Sequence, residues 1–222
     1  ASPANPTGTM LAASTLSEIS KWVAGRDGFV ILDEIYQGLV HDDAPYTSGL
    51  AVSDDLFVLN SFSKFFGMTG WRLGWVVLPE NATERFTKLA QNLVISPSSI
   101  AQNAALEAFS EESMSVHRQR ASEFSRRAKQ LAAGLLELGF AIPVMPAGAF
   151  YLYVDVAHTG IPSDEFCWRL IEEYQVAVTP GKDFGDFESD RFVRFAYTTD
   201  IASIDLGLER IGQALAAWGI SR

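Results

Sequence analysis

The sequence predicts an α/β protein, with a mixed and mostly parallel sheet in its first half and a smaller α+β part at its C-terminal end. Three short apolar runs, at residues 29–32, 56–59 and 74–78, have the composition of strands that are buried on both faces of a sheet. Helical patterns lie between and after these runs, and this alternation is typical of an α/β layer.

The helices are predicted from apolar residues at helical spacing and from residues that suit helix ends. Residues 15–18 match a capping box, which predicts that the first helix begins there. Residues 80–138 are predicted to be mostly helical, with Gly139 as the C-terminal stop. Ser163 is the predicted cap of a later helix. The last helix is predicted from the apolar stripe of Ile204, Leu208, Ile211 and Leu215.

Two further strands are predicted in the last third of the chain, at residues 150–154 and 192–196. Because the long helical middle separates this region from the first three strands, we expect two domains. Residues 1–115 are predicted to form part of a large α/β domain. Residues 116–222 are predicted to form a connecting helix and a small C-terminal domain.

Composition and charge exclude several classes of partner. The 222 residues carry a formal net charge of −10 and no basic cluster, which argues against nucleic acid and against an anionic membrane surface. The single cysteine, Cys167, excludes an internal disulfide and fits the reducing cytoplasm. Three scattered histidines predict no metal site, and no apolar run is long enough to span a bilayer. We therefore expect a cytoplasmic protein.

Polar residues follow two of the predicted strands. Asp33 and Glu34 come directly after the first strand, and Asn60 and Ser61 come directly after the second. In open α/β sheets, ligands bind at the carboxyl ends of the strands. These two strand ends are therefore the predicted ligand site.

The segment from Ser61 to Lys64 carries the strongest chemical signal. Burial disfavours the charged form of a lysine, as an amine that forms an imine requires. Ser61, Ser63 and Arg72 add hydroxyl groups and a cation, and this set matches a phosphate dianion. Taken alone, however, a lysine beside serines is more often an exposed loop residue.

Four motifs in order resemble the class I/II aminotransferases of fold type I, which use pyridoxal 5′-phosphate (PLP). Residues 5–8 match an Asn-Pro-Thr-Gly loop, and residues 33–36 match an Asp-x-x-Tyr element. Residues 61–64 with residues 70–74 match the segment of the PLP-binding lysine, and Arg194 matches a late arginine. The resemblance covers essentially the whole chain. It implies the PLP-transferase fold, with part of the large domain and the small domain present.

The resemblance implies a role in cofactor binding for several residues. Lys64 forms the imine with PLP and, once the substrate amine displaces it, moves the proton between the substrate Cα and the cofactor. Asp33 pairs with the pyridine nitrogen and keeps it protonated. Tyr36 and Asn5 hydrogen-bond the phenolic oxygen of the cofactor. The phosphate is bound by Ser61, Ser63 and Arg72.

Substrate binding is implied for Arg194, which would form a bidentate pair with the α-carboxylate. Its simpler alternative is a surface ion pair, for which Arg191 is the better candidate. Asp33 also suits a helix N-cap, Tyr36 a packed aromatic side chain, and residues 5–8 an ordinary turn. Phe184 resembles part of the loop that precedes the late arginine and is expected at the substrate entrance.

The implied activity is transamination between an amino acid and a 2-oxo acid, in a homodimer whose active site lies at the subunit interface. Other PLP chemistry on the same fold stays an alternative, such as a C–S lyase or a cyclopropane-forming synthase. A PLP-sensing domain of a transcription regulator is a third. The family carries sequence before the loop at residues 5–8 that has no counterpart here, and the chain begins at Ala1 without a methionine. We therefore expect residues to precede Ala1, and weak or no activity from these residues alone.

Overall fold

The chain divides into two compact units in a computed structural model that describes residues 1–42 and 44–220. Unit 1 comprises Ala1–Pro3 and Met10–Ala121, and unit 2 comprises Ala4–Thr9 and Ser122–Arg222. The domain boundary that the sequence suggests between residues 115 and 116 stays a prediction.

Unit 1 contains a three-stranded sheet in the order β1-β2-β3. Strand β1 (Ile31–Asp33) pairs in parallel with β2 (Phe57–Ser61), and β2 pairs in antiparallel with β3 (Gly74–Val77). The mixed sheet is confirmed, although the described strands contribute one parallel and one antiparallel pairing. Strands β1 and β2 lie slightly further along the chain than the apolar runs that predict them.

The prediction that these strands are buried on both faces is wrong. Leu32 and Val58 are buried, but Ile31 is 56% exposed and Leu59 is 40% exposed. Because successive side chains of a strand point to opposite faces, one face of the sheet carries the core and the other is open. Leu16 packs on the buried face with Leu32 and Val58.

Among the described residues, three α-helices belong wholly to unit 1, namely α1 (Ala13–Ala24), α2 (Glu80–Leu93) and α3 (Ser99–Glu107). Helix α1 begins before the predicted capping box, and its N-cap residue Ala12 makes no side-chain cap hydrogen bond. The capping-box prediction at residues 15–18 is therefore wrong. The pattern of that box is satisfied by residues that already lie inside the first turns of the helix.

The long helix α4 (Glu111–Glu137) begins in unit 1 and ends in unit 2. Gly139 follows it with a φ of +89°, which confirms the predicted stop, because glycine adopts this left-handed conformation without strain. Unit 2 also contains an antiparallel sheet in the order β4-β6-β5. The strands and α-helices of unit 2 that follow α4 in the described residues are β4 (Tyr151–Asp155), α5 (Ser163–Tyr174), β5 (Thr179–Pro180), β6 (Phe192–Ala196) and α6 (Ile201–Ala217).

One apolar cluster forms the core of unit 2 and includes side chains from helices α4, α5 and α6 and from strands β4 and β6. The predicted stripe of α6 is confirmed, since Ile204 and Ile211 are buried in this cluster and Leu208 packs against it. The prediction for Ser163 is wrong, because Ser163 is the first residue of α5 and its hydroxyl donates to the Ser189 carbonyl at 2.7 Å.

None of the helices in the described part of the chain combines the length and the apolar character that are needed to cross a lipid bilayer.

Candidate functional site

Asp33 ends strand β1 and begins a turn. Its Oδ1 accepts a hydrogen bond from the Ile35 amide at 2.9 Å, and the next amide, that of Glu34, donates to the Leu59 carbonyl at 2.8 Å. A turn and a short 3-10 helix at Gly49–Ala51 follow, so Asp33 does not cap a helix. The local hydrogen bond instead orients the Asp33 carboxylate, which is partly buried at the carboxyl end of the strand.

Tyr36 and Lys64 meet in unit 1, although they come from different turns. The Lys64 Nζ lies 5.6 Å from the centre of the Tyr36 ring. Tyr36 is only 5% exposed, and Lys64 is partly buried. The parallel pairing of β1 with β2 explains this meeting, because it brings the turns that follow the two strands to the same edge of the sheet.

The Lys64 loop is fixed by backbone hydrogen bonds and by aromatic packing. The Gly67 amide donates to the Lys64 carbonyl at 3.0 Å, and the Met68 amide donates to the Phe62 carbonyl at 2.9 Å. The rings of Phe62 and Phe66 lie 4.9 Å apart between their centres. Packing on both sides of Lys64 therefore limits the positions that its backbone can take.

Ser61, Ser63 and Arg72 belong to one connected segment. The Ser61 Oγ lies 2.9 Å from the Ser63 Oγ and accepts the Ser63 amide at 3.0 Å. The Thr69 hydroxyl donates to the Ser63 carbonyl at 2.6 Å, and the Arg72 Nη1 donates to the Thr69 carbonyl at 2.8 Å. Arg72 is exposed and has a φ of +53°. Such a conformation is unfavourable for a residue other than glycine, and it often marks functional sites.

Arg194 lies on β6 in unit 2, where two polar side chains and two rings surround it. Its Nη1 donates to the Asn5 Oδ1 at 2.8 Å, and its Nη2 donates to the Thr179 Oγ1 at 3.2 Å. The guanidinium carbon lies 4.3 Å from the centre of the Tyr151 ring and 4.7 Å from that of Phe184. The Arg194 Nε is buried and makes no hydrogen bond within the described residues.

The contact between Asn5 and Arg194 joins residues that are 189 positions apart, and the sequence did not predict it. Asn5 lies in a tight turn, in which the Gly8 amide donates to the Ala4 carbonyl at 2.8 Å. The Gly8 carbonyl in turn accepts the Ala147 amide at 2.9 Å. Residues 5–8 are therefore a turn, and that turn holds Asn5 against Arg194.

Arg191 forms the structural ion pair that the sequence assigns to it in preference to Arg194. Its Nη2 and Nε lie 2.6 Å and 2.7 Å from the Asp155 Oδ2. Burial acts to raise the pKa of the Asp155 carboxyl, but the Arg191 guanidinium and the Ala157 amide outweigh it and hold the pKa below its ordinary value. Arg191 and Arg194 are three residues apart, but Arg191 pairs with a carboxylate and Arg194, within the described residues, does not.

Two buried side chains of unit 1, Glu34 and His117, have surroundings that the sequence did not predict. Glu34 is 1% exposed and accepts hydrogen bonds from the Gly49 amide at 2.6 Å and from the Ser48 hydroxyl at 2.9 Å. His117 is 6% exposed, and its ring centre lies 5.5 Å from the ring centres of Phe65 and Phe66. The sequence placed Glu34 at the end of a strand but did not predict its hydrogen bonds. Nothing in the sequence connects His117 with the Lys64 loop.

Comparison with known proteins gives a consistent result. Residues 1–211 match the family model of class I and II aminotransferases. The chain is 37% identical to valine–pyruvate aminotransferase of Mycobacterium tuberculosis, over 97% of this chain and 56% of that protein. It is 35% identical to an aspartate aminotransferase of Pyrococcus abyssi, over 96% of this chain and 56% of that protein.

Solved structures agree with the sequence matches. A crystal structure of an aminotransferase from M. tuberculosis superposes with a TM-score of 0.93 at 37% identity, over 97% of this chain and 56% of that one. An aromatic aminotransferase from Pyrococcus horikoshii superposes with a TM-score of 0.91 at 35% identity, over 99% of this chain and 60% of that one. The chain therefore spans just over half the length of these relatives.

Proposed function

Because this chain belongs to the class I and II aminotransferase family and has the fold type I architecture of its members, we propose that the full-length protein transfers an amino group from an amino acid to a 2-oxo acid. The family depends on PLP, which we propose as the cofactor of this protein. The observation that carries the proposal is the placement of Lys64 beside Tyr36 at the carboxyl end of the β1–β2 pair.

The residues of unit 1 fit the chemical groups of PLP. A carboxylate suits the pyridine nitrogen, an amine suits the aldehyde, and hydroxyls with a guanidinium suit the phosphate. Asp33, Lys64 and the connected set of Ser61, Ser63 and Arg72 supply these groups from the turns that follow β1 and β2. When it is bound, PLP supplies an electron sink for the bonds at the substrate Cα.

Lys64 has two tasks under this proposal. It holds the cofactor covalently, and after its release it carries the proton from the substrate Cα. Both tasks use the Lys64 Nζ, which lies 5.6 Å from the centre of the Tyr36 ring. The hydrogen bonds and aromatic packing of its loop keep the amine close to Tyr36, so that the proton transfer does not depend on a mobile base.

Asp33 and Tyr36 orient and polarise the cofactor ring. The Ile35 amide holds one oxygen of the Asp33 carboxylate, and its negative charge favours protonation of a pyridine nitrogen placed beside it. Tyr36 is buried, so its hydroxyl is held in one position to donate to the phenolic oxygen. Both residues act on the ring through groups that are fixed before the cofactor binds.

Arg194 binds the substrate carboxylate under this proposal. Asn5 and Thr179 hold its two terminal nitrogens, and the Tyr151 and Phe184 rings confine the plane of the guanidinium. A guanidinium that is already oriented loses little side-chain entropy when it pairs with a carboxylate. Asn5 therefore acts through Arg194 as well as in the role that the family resemblance gives it.

We further propose a cytoplasmic homodimer with its active site at the subunit interface. The family resemblance supports the dimer, and exposed Leu93, Ile95 and Ile100 offer apolar surface for a second copy to cover. The cytoplasm is supported by the sole cysteine, Cys167, which is a buried free thiol, as expected for a reducing compartment. Burial raises the pKa of this thiol to about 12, so it is unreactive.

The cofactor is tested by adding PLP to the full-length protein and reducing with borohydride. We expect mass spectrometry to find the cofactor on the Lys64 peptide, and none on that peptide in Lys64→Ala. Lys88→Ala is the control, because Lys88 is an exposed lysine that pairs with Glu84 at 2.7 Å. Reduced cofactor at the active site of Lys64→Ala would refute the assignment.

The reaction is tested by following an amino group from an amino acid to an added 2-oxo acid. We expect transfer that depends on the acceptor. Release of pyruvate or ammonia without an acceptor would contradict transamination and favour a lyase.

A further inference from the structure

A series of side-chain hydrogen bonds, called here the hydrogen-bond chain, connects the carboxyl ends of strands β1 and β2. The Asn60 Nδ2 donates to the Gln37 Oε1 at 2.6 Å, and the Gln37 Nε2 donates to the Tyr46 Oη. The Tyr46 hydroxyl donates to the Glu34 Oε2 at 3.3 Å. At the opposite end, the Ser61 amide donates to the Asn60 Oδ1 at 2.8 Å.

The buried Glu34 carboxylate determines the direction of this chain. The Tyr46 hydroxyl donates its single proton to the Glu34 Oε2. The Tyr46 oxygen then accepts from the Gln37 amide nitrogen, which leaves the Gln37 oxygen to accept from Asn60. Each donor therefore points towards Glu34, and hydrogen bonds that are aligned in this way strengthen one another where water is partly excluded.

The surroundings of the Tyr46 hydroxyl agree with its role as the donor to Glu34. Burial and the negative charge of Glu34 both raise the pKa of Tyr46. The phenol thus stays protonated and remains a donor to Glu34. The charge at the end of the chain is also shared with the Gly49 amide and the Ser48 hydroxyl, so it is not left unpaired.

The hydrogen-bond chain lies on one face of the sheet, and the proposed cofactor-binding residues Asp33 and Ser61 point to the other face. Asn60 and Ser61 are successive residues of β2, and their side chains point to opposite faces. Gln37 directly follows Tyr36, so its hydrogen bond with Asn60 ties the turn of Asp33 and Tyr36 to the strand end that leads into Lys64.

We propose that Gln37 and Asn60 are positioning residues that fix the turn of Asp33 and Tyr36 relative to the Lys64 loop, with buried Glu34 as the fixed end of the chain. This inference rests on the proposed function for its meaning. Small displacements of reacting groups cost much of their catalytic advantage, so a fixed separation between these turns is directly useful. Neither residue touches the cofactor under this proposal.

Two variants interrupt the hydrogen-bond chain in different ways. Gln37→Leu removes both hydrogen bonds of Gln37 at similar volume. Asn60→Asp keeps the shape of Asn60 but replaces the donor that faces the Gln37 oxygen with an acceptor, so one hydrogen bond of the series is lost in either orientation of the Gln37 amide. Gln130→Leu is the matched control, because exposed Gln130 makes a single side-chain hydrogen bond to Asp205 at 2.8 Å in unit 2.

The first measurement is amide hydrogen exchange at residues 61–64 in the full-length protein without PLP. We expect exchange about tenfold faster or more in both variants, because the loss of a partly buried hydrogen bond leaves its partner without its hydrogen bond and loosens the strand end. Gln130→Leu should match the wild type. Unchanged exchange in Asn60→Asp would overturn the inference even if Gln37→Leu fails to fold.

The second measurement is the PLP dissociation constant, together with the pH at which the absorbance of the bound cofactor changes. We expect the dissociation constant to rise about tenfold in both variants and the absorbance transition to move. A variant that loses thermal stability but keeps both values has lost only a structural contact, which would refute a positioning role. If the wild type does not bind PLP, the proposed function fails, whereas the exchange measurement still decides whether the chain fixes the loop.

Discussion

Replacing Arg194 with lysine should weaken the use of substrate far more than it weakens the fold. Arg194 donates to Asn5 and Thr179, and its guanidinium carbon lies 4.3 Å and 4.7 Å from the centres of the Tyr151 and Phe184 rings. A lysine keeps the positive charge but carries it on a single ammonium, which cannot form a fork with both oxygens of a carboxylate. Arg194→Lys therefore removes the geometry of recognition and retains the charge.

The magnitude follows from the hydrogen bonds that are lost. A hydrogen bond to a charged group contributes about 1.5–3 kcal/mol, and the lysine keeps at most one of the two that a bidentate pair makes. Since about 1.4 kcal/mol corresponds to a factor of ten, kcat/KM should fall by about 10-fold to about 150-fold. Asn5 also loses its partner, which places the expected effect towards the upper end of this range.

The assay is steady-state transamination by the full-length protein, with kcat/KM measured for the amino acid. Arg191→Lys is the control. Arg191 lies three residues before Arg194, but it pairs with Asp155 and not with Asn5 or Thr179. We expect Arg191→Lys to lower the melting temperature and to leave kcat/KM within about twofold of the wild type. A kcat/KM for Arg194→Lys that is equally unchanged would refute the carboxylate role of Arg194.

Two further predictions concern the stability of the fold. Burial and the nearby charge of Arg120 lower the pKa of His117 from its ordinary value of 6.5, so the unfolded chain binds this proton more tightly. The free energy of unfolding should therefore fall as the pH drops below 6.5. Urea titrations should show a smaller fall for His117→Phe than for the wild type. An equal fall in both proteins would contradict this role of His117. Gly8→Ala should cost about 1–3 kcal/mol more than Gly160→Ala in the same titrations. Both glycines have a φ of +67°, but a Cβ at Gly8 would lie 2.5 Å from the Pro146 Cβ, whereas a Cβ at Gly160 would meet no atom within 4 Å beyond its chain neighbours. Equal losses would show that the contact with Pro146 is not the cause.

Local pattern was enough to predict the elements that carry the candidate site. The apolar runs predicted the strands, their polar ends pointed to Asp33, Glu34, Asn60 and Ser61, and the family resemblance added Lys64. Parallel pairing of β1 and β2 then follows from the α/β pattern, and that pairing brings Tyr36 near Lys64. These features depend on residues close together in the sequence or on general rules of sheets.

Contacts between distant residues were beyond the reach of such patterns. Ser163 has the residue type of a helix cap, but its hydroxyl donates to Ser189, because the chain returns past the start of α5. Asn5 and Arg194 are joined by tertiary structure alone. The capping box at residues 15–18 failed for a different reason, since several starts are compatible with one amphipathic pattern and side-chain capping is not used at the actual start.

The two adjacent carboxylates at the end of β1 show what decides between equivalent candidates. The sequence offers Asp33 and Glu34 equally as polar residues after a strand, yet alternation requires that they point to opposite faces. Leu32 is buried beneath α1, so the face of Glu34 is the covered one, and Glu34 is satisfied by Ser48, Gly49 and Tyr46. Asp33 shares the open face with Ile31, where a ligand has access. The alternation of side chains along β1, combined with the face that α1 covers, therefore leaves Asp33 accessible to a ligand and buries Glu34. This difference supports the proposals that Asp33 binds the cofactor and that Glu34 holds the turn in place.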